Sequence, residues 1–126
     1  HEALRLLLYR RLARVSDADE LAPVRVELRD RFGPLPAPVA DLLYTLQVRI
    51  FAGQAGAHII KSSNGVITIL LPLPLANAAA ERLQSLYTTA RARGTNVTLP
   101  IQGEWKKDLI ALLRTLQEME MVEVTL

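Results

Sequence analysis

Cysteine is absent from the 126 residues, which removes disulfides, zinc–thiolate sites and thiol nucleophiles together and suits a reducing cytoplasm. Histidine is nearly absent too, with only His1 and His58. Convergent metal ligands at fixed spacing are therefore not on offer, and no metal site is expected. Aromatic residues make up 5% of the chain against 50% hydrophobic residues overall, so a core must be built from leucine, isoleucine, valine and alanine rather than from rings. Charge of one sign is missing as well: 15 Lys and Arg stand against 13 Asp and Glu, a net +2. Even the arginine-rich stretch through Arg31 holds seven arginines against six acids, a weak footprint for phosphate binding, which favours an unbalanced basic face. The longest apolar runs, Val66 to Leu75 and Leu6 to Tyr9, fall short of the roughly 18 to 20 residues a membrane span needs, so no membrane partner is expected.

What is present is helical periodicity. A chain of this length is expected to form a single domain over 1–126, and its start at His1 inside an apolar periodicity reads as an excision from a longer protein. Leu4, Leu7, Leu8, Leu12 and Val15 fall on one helical face while Arg10, Arg11 and Arg14 project away from it. Ser16 to Glu20 supplies N-cap oxygens and first-turn acids for a second helix that buries Leu21, Val24 and Leu28 and runs to Phe32. Pro23 requires that helix either to start late or to bend. Gly33-Pro34-Leu35-Pro36 makes a corner, and a third helix follows from Pro38 to a stop at Gly56, with Val39, Leu42, Leu43, Leu46 and Ile50 facing the core.

Asn64-Gly65 between His58–Ser63 and Val66–Leu71 predicts a two-residue hairpin, because both positions tolerate positive φ. A fourth helix is expected from Asn77 to Arg93, burying Leu83, Leu86, Tyr87 and Ala90 and closed by Gly94; a third strand from Asn96 to Ile101; and a last helix from Glu104 to Met119 on Leu109, Leu112, Leu113 and Leu116, with Trp105 either a core anchor, the favoured reading, or an exposed binding anchor, and a short tail from Val122 to Leu126. The class is α+β: about five helices with a small antiparallel sheet.

No glycine-rich phosphate loop with its lysine occurs. Glu27 and Asp30, three apart on one helical face, admit three readings: an acid–base pair, a solvated helix face, which is the commoner meaning of such spacing, or an acidic docking patch for an arginine. Arg10, Arg11 and Arg14 have a single aromatic neighbour, Tyr9, and no stacking platform for bases. An enzyme built on His58 with Glu27 and Asp30 requires a pocket that joins them.

Three segments carry a resemblance: Leu8-Tyr9-Arg10-Arg11-Leu12-Ala13, Asp19-Glu20-Leu21, and Val26-Glu27-Leu28-Arg29-Asp30-Arg31-Phe32-Gly33-Pro34-Leu35-Pro36. Their order resembles the C-terminal (TRCF) domain of the bacterial transcription-repair coupling factors, the Mfd family, strongly over residues 4–71 and loosely beyond. Pro23 and the divergent region after Pro72 depart from the pattern. The resemblance implies a cytoplasmic bacterial parent that is an ATP-driven DNA translocase using ATP and Mg²⁺, and that binds RNA polymerase, UvrA and double-stranded DNA. It also implies a non-catalytic, cofactor-free role for this segment. By that role the segment packs on the parent's UvrB-like N-terminal module and masks its UvrA-binding surface, with Glu27 at the contact and Asp30 and Arg31 beside it. The alternative is a nucleic-acid module on the Arg10/Arg11/Arg14 face.

Overall fold

In the computed structural model, residues 2–12, 14–15 and 18–124 are described, and they divide into two compact units, His1–Ile50 and Phe51–Leu126. Expectations for Ser16 and Asp17 as caps, for the side chains of Leu4 and Tyr9, and for Thr125 and Leu126 in the tail lie outside what is described.

The first unit consists of helices. Helix α1 spans Glu2–Leu12, a short 3₁₀ turn covers Ala18–Glu20, α2 spans Leu21–Phe32, and α3, Ala37–Gln54, begins in this unit. Leu8, Leu12, Leu21, Val24, Leu28 and Leu43 form its buried cluster, with Val39, Leu42, Leu46 and Ile50 packed against it. These are the positions that the 3.6-residue period selects. Because α2 begins at Leu21, Pro23 sits in the first turn, where N–H groups have no intrahelical partner and a missing donor costs nothing. The helix does not start late. Its far end is set by Gly33, whose N–H donates to the Arg29 carbonyl at 2.8 Å. With φ 76° and ψ −157°, Gly33 occupies backbone space that essentially only glycine enters. The Pro36 carbonyl then accepts the N–H groups of Val39 and Ala40, opening α3.

The second unit holds a four-stranded antiparallel sheet in the order β1-β2-β4-β3, made of β1 (Ile59–Ser63), β2 (Val66–Leu70), β3 (Arg91–Arg93) and β4 (Asn96–Pro100). Asn64 and Gly65 both take positive φ, 54° and 74°, and close the β1–β2 hairpin so that Ser63 pairs with Val66. Register on the central pair sets Ile67 opposite Leu99 and Ile69 opposite Val97. All four are buried, while the residues between them are not, the period-two pattern of a sheet covered on one face. Helices α4 (Asn77–Leu86) and α5 (Trp105–Val124) pack within this unit, α4 touching β3 and α5, and α5 touching β4. Leu83, Leu109, Leu112, Leu113 and Leu116 are buried, as their spacing requires.

The stretch after Leu86 departs from expectation. The fourth helix ends at Leu86 rather than Arg93, residues 91–93 form a fourth strand, and Gly94 lies in the turn of the β3–β4 hairpin rather than at a helix stop. Leu86 is exposed and Tyr87 only half-buried. The local 83, 86, 87, 90 spacing is helical, but the backbone of Arg91–Arg93 finds partners on β4, and consecutive Thr88 and Thr89 favour leaving the helix. At the other end α5 runs on to Val124, so the expected tail is helical there. Trp105 is half-buried rather than a core anchor, with the Lys106 ammonium 5.8 Å from its ring centre.

Candidate functional site

Helix α2 lays Leu21, Val24 and Leu28 into the core, which leaves the rest of its circumference to solvent and to the helix flanks. On one flank Glu27 reaches α1: Arg11 Nε donates to Glu27 Oε2 at 3.0 Å, each side chain 41% exposed. Asp30 and Arg31 are exposed beyond it, and Val26, at 58% exposure, is an unusually open apolar side chain. With Ala22 and Pro23 these residues line one shallow groove. Glu27, Asp30 and Arg31 are thus brought together and accessible. A carboxylate pair, a guanidinium and an exposed valine make a surface with charge, orientation and a small apolar contact.

The three arginines of the expected basic face are not brought together as free cations. Arg10 is exposed on α1, Arg14 lies beyond the end of α1 at Leu12 in a turn, and Arg11 is turned to Glu27. Helical projection placed Arg11 outward because it carries no information about a neighbour 16 residues away on another helix. His58 is exposed in the second unit, donating its N–H to the Leu70 carbonyl, and the groove at Glu27 and Asp30 has no histidine in its lining. Among the described residues no group of three or more His, Asp or Glu is placed to hold a metal ion, and no helix is long and apolar enough to cross a membrane.

On the other flank of α2, sequence reasoning missed a second groove, lined by Arg25, Arg29, Gly33, Pro34, Leu35 and Ala40. The i, i+4 spacing of Arg25 and Arg29 was the available signal.

These features define a small α+β protein with a charged, accessible groove on each of two flanks of one helix. A TRCF domain model matches residues 1–83, and the chain belongs to that family, the C-terminal domain of transcription-repair coupling factors. It is 35% identical over 100 residues to the transcription-repair-coupling factor of Mycobacterium tuberculosis, an alignment that takes in 79% of this chain and 8% of that protein. With the transcription-repair-coupling factor of Staphylococcus epidermidis it shares 28% identity over 126 residues, 93% of this chain and 11% of the relative. The chain therefore spans about a tenth of the length of such relatives. A crystal structure of the C-terminal domain of a transcription-repair coupling factor superposes with a TM-score of 0.77 at 18% identity, covering 93% of this chain and 81% of that one. That likeness establishes a shared fold.

Proposed function

We propose that this chain is the regulatory latch of a cytoplasmic bacterial transcription-repair coupling factor, an ATP-dependent DNA translocase of transcription-coupled nucleotide excision repair. In this reading the parent uses ATP and Mg²⁺ and engages RNA polymerase, UvrA and double-stranded DNA. The chain itself does no chemistry: it covers the UvrA-binding surface of the parent's UvrB-like module until the parent engages its polymerase.

One observation carries the reading: Glu27 is reachable, half-exposed, and already shown to accept a guanidinium, that of Arg11. An exposed pair of this kind contributes only about 0.2 to 1 kcal/mol, so Glu27 can exchange Arg11 for an arginine of a partner at small cost. Asp30 and Arg31 set register beside it and Val26 adds the apolar contact. A latch that must open is best made this way, because charged rims supply specificity more than affinity and leave opening within reach of a competing ligand. The nucleic-acid alternative is left with Arg10 and Arg14, since Arg11 is engaged.

The test is capture of UvrA by the full-length parent. Glu27→Arg reverses the charge at the contact and is expected to raise UvrA capture without polymerase present. UvrA capture equal to wild type, with the variant folded, would overturn the latch.

A further inference from the structure

The groove on the opposite flank of α2 is not used by the latch. We propose that it docks an acidic protein segment, one that presents two carboxylates about a helical turn apart next to an aliphatic side chain.

Arg25 and Arg29 stand one turn apart on α2, the spacing that puts side chains of a helix side by side. Arg25 is half-buried and Arg29 exposed, so one arginine sits deeper in the groove wall than the other. The remaining lining is Gly33, Pro34, Leu35 and Ala40: it contains no carboxylate and, beyond the arginines, no charged or hydrogen-bonding side chain. Two planar forks of donors over an aliphatic wall fit carboxylates bidentately and leave Pro34 and Leu35 to cover an apolar side chain. The wall is also well fixed. Gly33 is tied to Arg29 by its N–H bond, Leu35 packs on the core cluster, and two prolines flank that leucine.

The same helix argues against nucleic acid as the occupant. Asp30 adjoins Arg29 on the helix, so the arginine pair is not an unbalanced basic face. A polyanion that extends past the two arginines meets that acid. No aromatic ring lines the groove to stack a base. A short acidic segment with its own aliphatic side chain avoids the first problem and uses the wall.

The experiment follows the anisotropy of a fluorescein-labelled synthetic peptide, with glutamates four apart and leucine between them, titrated with the chain at low ionic strength. Saturable binding is expected, weakened about tenfold or more by Arg25→Glu with Arg29→Glu, abolished when the peptide's glutamates are replaced by glutamine, and unchanged in Glu27→Arg. That last variant removes the latch contact and leaves this groove intact, so failure of one reading is separable from failure of the other. Arg29→Ala, a change at an exposed position that cannot disturb the core, is expected to weaken binding by a smaller factor in the same direction. The proposal is overturned if the arginine variants bind the peptide as wild type does. It is equally overturned if an oligothymidylate of matching charge binds more tightly with the same dependence on Arg25 and Arg29.

Discussion

Glu27 and Leu43 lie in one helical unit and differ in what their loss should cost. The Arg11–Glu27 pair is half in water on both sides, so Arg11→Ala or Glu27→Ala is expected to change unfolding free energy by no more than about 1 kcal/mol in urea denaturation. Leu43 is completely buried in the first unit's cluster, and Leu43→Ala is expected to cost about 2 to 5 kcal/mol by transfer and cavity terms. If the ion-pair variants were as damaging as the leucine variant, Glu27 would be a structural residue and not an exchangeable one. Tyr44 on α3 supplies a separate check through pH. Burial disfavours its phenolate and pushes its pKa from 10.0 up to about 12. Below pH 10 the phenol is neutral in both folded and unfolded chains, and its contribution is fully present. Between 10 and about 12 the native state keeps a proton that the unfolded chain releases, so stability falls as pH rises through that window. Tyr44→Phe is expected to remove that part of the alkaline loss in denaturation curves measured across it, and to delete tyrosinate absorbance that develops toward about pH 12.

Elements were legible where local rules and tertiary demands agree. The period of α2 and α3 survives in their buried faces, and the Asn64-Gly65 hairpin forms in the register that its two-residue turn dictates. Residues 87–93 were misread because β3 is three residues long, too short for a period of two to show, and its pairing with β4 is a non-local choice that overrides a helical apolar spacing. The Arg11–Glu27 pair was illegible for a related reason: helical projection fixes which way a side chain leaves its own axis, and the contact depends on where a second axis runs. Gly33, by contrast, could be read directly, and its role is now specific. A Cβ there meets nothing within 4 Å, so space is not the constraint; the backbone is, at φ 76° and ψ −157°. Gly33→Ala is therefore expected to cost about 1 to 3 kcal/mol in thermal or urea unfolding, with no compensating change elsewhere needed. A neutral result would mean that the corner between α2 and α3 relaxes to another conformation.

At the scale of the whole parent protein, the ion pair makes a prediction whose sign separates exchange from simple contact. If Glu27 must give up Arg11 to meet a guanidinium of the UvrB-like module, Arg11 is a competitor of the latch and not part of it. Arg11→Ala then leaves Glu27 with no local partner among the groups paired to it here, strengthens the closed state, and lowers UvrA capture by the full-length protein. Glu27→Arg moves capture the other way. The expected ratio is modest, because an exposed pair of about 0.2 to 1 kcal/mol corresponds to a shift of at most about fivefold in the open-to-closed ratio. Added salt should shrink the difference, since both the local and the partner contact are screened at this exposure. If Arg11→Ala instead raised UvrA capture as Glu27→Arg does, Arg11 would be holding Glu27 in place for its partner, and the latch would operate on a preformed pair rather than by exchange.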